Sequence, residues 1–191
     1  MSTVDISEPP WKKLKKRKVV NVAFVNRTTR QILLHKRIKE KYNGKEFWAF
    51  FWWKKEPGEE IITTAIREIE EELEWETPGT GLKLDNTDLI HVCHTEVQKA
   101  SEIILREVFL VLTDKEERNF VTREKTGEDG VYFSFEDAKK LDFRNDISDE
   151  LLKVEKMVNS LLWEISKSKK YPLLEAFRSA VLRRIQSLVI V

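Results

Sequence analysis

Residues 60–74 constrain the fold of this chain more than any other stretch. Ile61, Ile62, Ala65, Ile66, Ile69 and Leu73 recur at spacings of three and four, which marks a helix with one apolar side. Such a helix must bury that side against a core built elsewhere in the chain. Its other side carries Glu68, Glu71 and Glu72, and residues three and four apart share a helix face, so these carboxylates repel unless a cation compensates them. A hard divalent ion such as Mg2+ or Mn2+ takes oxygen ligands and fits that task. A solvated acidic face fits the spacing equally well, because glutamate is a good helix former. Glu59, just after the Pro57-Gly58 break, is placed to join the cluster, and Arg67 is placed to pair with one of its members.

The core that this helix needs is supplied by strands. Residues 19–25 are rich in β-branched side chains and 31–37 follow a polar turn, so the two read as a hairpin. Residues 47–51 read as a further short strand, 88–97 and 102–113 as a second hairpin, and 131–135 as a later strand entering a short helical pattern at 136–141. The polar stretch 114–130 is either an active-site loop or a long surface connection. In the tail, Leu151, Val154, Val158, Leu161, Leu162 and Ile165 trace one helical stripe; after Pro172, Leu173, Phe177, Val181, Ile185 and Leu188 trace another. The expected organisation is a flexible basic arm over 1–18, an α/β domain over 19–145, and a helical hairpin over 146–191 packed on that domain. The alternative role for the hairpin is a surface for a homodimer or a protein partner.

A length of 191 residues suits one sizeable domain with a helical extension. With 34 basic against 33 acidic residues, a general polyanion-binding surface is not implied. The basic run at 11–18 is either a solvated tail or a contact for phosphate backbones. The single Cys93 excludes an intramolecular disulfide and fits a reducing compartment; its expected role is burial rather than nucleophilic attack. His35, His91 and His94 have no metal-site spacing. No run approaches a membrane span, and the first residues lack the order of a secretory signal, so the expectation is a soluble cytoplasmic protein that makes no membrane contact.

Residues 53–75 resemble the signature of the Nudix superfamily. That pattern runs glycine, five residues, glutamate, seven residues, arginine-glutamate, an aliphatic residue, any residue, glutamate-glutamate, any residue, glycine and an apolar residue. Glu59, Arg67, Glu68, Ile69, Glu71, Glu72 and Trp75 match it, while Trp53 and Glu74 stand at the two glycine positions. Trp52 replaces a small residue often found beside the first glycine, and Trp48, Phe50 and Phe51 stand where an extended form of the pattern has tryptophan, an aliphatic residue and proline. The resemblance covers roughly residues 19–141. It implies an α/β/α sandwich with a mixed sheet, here carrying a C-terminal helical extension. It also implies hydrolysis of a phosphoanhydride in a nucleoside diphosphate derivative, another nucleotide or capped RNA, with Mg2+ or Mn2+ held by Glu68, Glu71 and Glu72. In the same terms Arg67 organises the loop, Glu71 or Glu72 orients the attacking water, and a later glutamate assists, with Glu124 and Glu128 as candidates. Lys36 and Arg37, at a strand end, either touch substrate phosphates or are merely solvated.

The tryptophans pull against this. Glycine serves where a loop needs positive φ or a close approach of backbone to ligand, and a β-carbon forced into the left-handed region costs about 1–2 kcal/mol. Trp52 and Trp53 are either a stacking platform for a purine or RNA cap or, for at least one of them, core packing. Two functions follow: a metal-dependent pyrophosphohydrolase, or a catalytically impaired Nudix-like module that binds nucleotide, RNA or another protein.

Overall fold

The computed structural model describes residues 14–39, 45–75, 83–113, 120–122, 130–143 and 147–168. The β-branched run lies inside a longer strand, β1 (Lys15–Asn26), which takes in positions 15–18 that the sequence assigns to the arm. The basic residues are extended there because a distant strand, Glu102–Thr113, pairs in parallel with the whole of β1, from Lys15↔Glu102 to Asn26↔Thr113. Satisfying backbone donors and acceptors along a neighbouring strand outweighs the solvated character of the side chains.

From β1 the chain turns into β2 (Gln31–Lys39), antiparallel to it as the hairpin predicts. The turn is held by Asn26, whose Oδ1 accepts the N–H groups of Thr28 and Thr29, each at 2.9 Å. The strand expected over 47–51 is instead two strands that change partner at Phe50. β3 (Lys45–Ala49) pairs with β2, and β4 (Phe51–Lys54) pairs with β1, placing Trp52 opposite Asn21 and Trp53 opposite Val20. A turn through Gly58, at φ 83°, leads to α1 (Ile61–Glu72). The helix ends without a left-handed residue: Leu73 is already extended at φ −107°, and β5 (Leu73–Trp75) follows directly.

The second hairpin is β6 (Ile90–Gln98) against β7 (Glu102–Thr113). β8 (Phe120–Thr122), inside the stretch read as a polar connection, pairs with β5. β9 (Gly130–Ser134) pairs with β2. Gly130 is needed there for space, since a β-carbon would sit 2.9 Å from Leu33 Cδ1. The short α2 (Phe135–Ala138) is capped by Ser134, whose hydroxyl accepts the Asp137 N–H at 3.1 Å. The last described element is α3 (Ile147–Ser168).

Alternation along β1 divides the core into two layers. Val20, Val22 and Phe24 face α1 and pack with Phe51, Trp53, Phe109, Val111, Ala65, Ile69 and Leu73. Val19, Asn21, Ala23 and Val25 are buried on the other face, where the start of α3 brings Glu150 to Asn21. Helices on both faces of a seven-stranded mixed sheet make an α/β/α sandwich with a C-terminal helical extension. Residues through Val154 form one compact unit and those from Glu155 a second. The tail stripe at 173–188 and the arm before residue 14 lie outside the described residues. No described helix is long and apolar enough to cross a membrane.

Candidate functional site

The acidic face of α1 is organised by its own arginine. Arg67 grips Glu59 with two donors, Nε to Oε1 at 3.0 Å and Nη2 to Oε2 at 3.3 Å. It also reaches Glu68 Oε1 at 2.8 Å and Glu71 Oε2 at 3.0 Å. Thr64 donates its hydroxyl to Glu59 Oε2 at 2.7 Å. The hydrogen bond from Arg67, followed by that from Thr64, holds the Glu59 carboxyl below its usual range. The same pairing, led by Glu59 and opposed by desolvation, raises the Arg67 pKa above its already high value. One guanidinium therefore gathers three of the four glutamates that the sequence singles out.

The fourth is held by a tryptophan. Trp53 is buried in the layer beneath α1, and its indole N–H donates to Glu72 Oε2 at 2.5 Å. The strain expected from an indole at a glycine position does not arise, because Trp53 lies within β4; among the described residues only Arg30 and Gly58 have positive φ. Strand alternation separates the two tryptophans. Trp53 faces α1, and Trp52 faces the opposite layer.

Glu59, Glu68, Glu71 and Glu72 supply the hard oxygen donors that Mg2+ or Mn2+ prefers, but in this arrangement each already accepts from Arg67 or Trp53. Among the described residues no group of three or more His, Cys, Asp or Glu side chains is disposed to hold a metal ion. As arranged, the cassette does not fit a resident divalent cation: Arg67 and Trp53 hold the four carboxylates in positions that do not form a ligand group. Glu124 and Glu128 lie outside the described residues.

On the other sheet face a pocket opens between β1, β3, β4, β7 and the start of α3. It is lined by Arg17, Asn21, Phe47, Trp52, Lys99 and Arg106, together with small and aliphatic side chains. Arg17 reaches Glu102 at 3.0 Å through Nη2, while its buried Nε has no protein acceptor. Arg37 stacks over Trp52, its Cζ 5.2 Å from the ring centroid, and Lys36 pairs with Glu46 at 2.6 Å. Of the substrate-contact residues read from sequence, only Trp52 lines this pocket, and Arg37 touches it through the Trp52 ring. Lys36 is engaged with Glu46, and Trp53 is on the far side of the sheet.

Beneath the pocket is a cluster that spacing along the chain does not reveal. Glu150, fully buried, accepts from Asn21 Nδ2 at 3.0 Å, Thr95 Oγ1 at 2.8 Å and Arg106 Nη1 at 2.6 Å. The signals are an asparagine inside a β-branched run and a glutamate on an apolar helix stripe. On β6, a bulge between His91 and Cys93 reverses the alternation. His91 and His94 consequently both reach Glu107, each at 2.9 Å. Cys93 is half-buried, and burial pushes its thiol pKa up.

Solved structures share this architecture. The solution structure of the E. coli ORF135 protein is 19% identical, with a TM-score of 0.56 over 80% of this chain and 97% of that one. The NUDIX domain of Shewanella oneidensis NrtR, in its cocrystal structure with ADP ribose, is 11% identical, with a TM-score of 0.56 over 80% and 94%. A C. elegans Ap4A hydrolase binary complex is 15% identical, with a TM-score of 0.53 over 77% and 99%. At these identities the likeness is one of fold. No curated protein matches this chain. Residues 15–153, most of the chain and every described element through the start of α3, match the NUDIX domain, and the protein belongs to the Nudix family.

Proposed function

We propose that this chain is a Nudix-fold nucleotide-binding module whose metal-dependent phosphoanhydride hydrolysis is impaired. The observation that carries this reading is the occupation of the acidic cassette by the protein itself: Arg67 on Glu59, Glu68 and Glu71, and Trp53 on Glu72. Catalysis in a metal site needs ligands preset to within a fraction of an ångström, and a misplacement of about 1 Å can cost on the order of a hundredfold in rate. A cation entering here has first to displace an arginine bonded to three carboxylates.

Nucleotide binding is supported from the other face. The pocket combines an aromatic ring for a base, Trp52, with the cationic Arg17 and Lys99 for phosphates. Since the NrtR domain is described with ADP ribose, that dinucleotide-like diphosphate is the first ligand to try, followed by ATP, Ap4A and a short capped RNA. Binding is expected to persist in chelator, without product. Trp52→Ala should weaken it by about tenfold, as expected for loss of one base–aromatic stack. Steady turnover of any of these with Mg2+ or Mn2+, abolished by Glu72→Gln, would return the protein to the active hydrolases.

A further inference from the structure

Alternation along β1 divides its basic start between the two faces of the sheet. Arg17, Val19 and Asn21 line the pocket beside Trp52, so the exposed Lys15, two residues before Arg17, belongs to that same face. Lys16 and Lys18, also exposed, belong to the face that carries α1. The neighbouring strand β4 extends the pocket face, because Trp52 lies opposite Asn21 and the exposed Lys54 lies opposite Val19. On the other side of β1, where β6 turns into β7, Lys99 lines the pocket and its backbone N–H bonds the Glu102 carbonyl.

A ring is thus followed by a row of cations on one sheet face, from Trp52 past Lys54 and Arg17 to Lys15, with Lys99 beside them. Among the described residues that line the pocket none is acidic. Arg106, which also lines it, is matched by the buried Glu150, and Glu102, opposite Lys15, engages Arg17 at 3.0 Å. The row keeps an excess of positive charge. From Asn21 to Lys15 it runs about 20 Å at about 3.3 Å per residue, farther than the diphosphate of a dinucleotide reaches.

We infer that the pocket is the inner end of a binding surface for single-stranded nucleic acid, with one base on Trp52 and the phosphodiester backbone following Lys54, Arg17 and Lys15. The inference rests on the nucleotide-binding reading and names the ligand class. A ring accepts the face of any base while a cationic row tracks the backbone, which is how single strands are held without sequence readout. An anionic lipid surface or an inorganic polyanion would use the cations and leave Trp52 without a role.

The test titrates an oligoadenylate RNA of about eight nucleotides into the full chain in chelator, at several salt concentrations, followed by fluorescence anisotropy. Two double variants remove the same charge from opposite faces: Lys15→Gln with Lys54→Gln, and Lys16→Gln with Lys18→Gln. The first pair should weaken binding by about tenfold at about 50 mM salt. It should also reduce the slope of log affinity against log salt by about 1.4, since each single-strand phosphate contact contributes about 0.7. The second pair should match the wild type in both. Equal losses from the two pairs mean general polyanion attraction and overturn the inference, as does binding that Trp52→Ala leaves unchanged. The DNA of the same sequence shares the backbone, so face-dependent binding of either strand supports the inference and the tighter one names the source. An RNA that binds no more tightly than ADP-ribose defeats this inference and leaves the nucleotide-module reading standing. ADP-ribose that fails to bind, while the RNA binds with the face dependence above, defeats the free nucleotide as ligand alone.

Discussion

Two arginine–glutamate clusters flank the same sheet, and they differ in composition, net charge and burial. Around Arg67, the carboxylates of Glu59, Glu68 and Glu71 share one guanidinium at a partly exposed helix face. Around Glu150, one carboxylate at 0% exposure draws in Arg106, Thr95 and Asn21. The first has an excess of negative charge that water and salt can compensate. The second is nearly neutral, and its carboxylate is fully buried. Burial therefore assigns the clusters different work. The Glu150 cluster ties the start of α3 to β1, β6 and β7 beneath the pocket, while the Arg67 cluster, on a partly exposed face, contributes little to stability.

The largest effect should come from the buried cluster. Glu150→Ala leaves Arg106 without its 2.6 Å partner in the interior and should cost about 3–5 kcal/mol in urea unfolding; a loss comparable to that of a surface variant would break the comparison. Acid should also act first on buried groups. His35, stacked on Phe51, is held to a pKa of about 4 by burial, then by Arg37, against the opposing hydrogen bond with the Phe50 carbonyl. Because the folded value lies below the unfolded one of about 6.5, the unfolded chain takes up more protons between them. Stability present above pH 6.5 should then fall by roughly 3 kcal/mol as pH drops toward 4, and His35→Gln should flatten that fall.

Thr95→Val removes one donor to Glu150 and should cost about 1–2 kcal/mol. The smallest effect belongs to the exposed cluster. Arg67→Met should leave the urea midpoint close to that of the wild type, with any difference fading in about 0.5 M salt, where the screening length is only a few ångströms. A large, salt-independent loss would show that Arg67 is structural after all.

The same contrast explains what can be read from sequence. The Arg67 cluster is legible because it is local: its partners lie eight, one and four residues from Arg67, and helical periodicity alone groups Glu68, Glu71 and Glu72. The Glu150 contacts span 129, 55 and 44 residues, distances over which no periodicity carries information. β4 falls between these cases. Spacing marks Trp53 as anomalous in a glycine position, but only its pairing with Val20 explains why no strain results. The division of labour between the two indoles likewise depends on the change of partner at Phe50, which moves Trp52 and Trp53 from an expected loop into a strand with alternating faces. The basic positions 15–18 are misassigned for a related reason: their charge suggests a solvated arm, but a parallel partner from the far side of the chain extends them.

In the proposed reading the protein occupies its own acidic cassette and binds nucleotide on the opposite face. It is tested most directly by incubating the full chain with ADP-ribose and saturating Mn2+, measuring bound ligand and released AMP in the same sample. The expected result is bound, intact ADP-ribose and no AMP above the protein-free control. Steady release of AMP and ribose 5-phosphate, lost in Glu72→Gln, would contradict it.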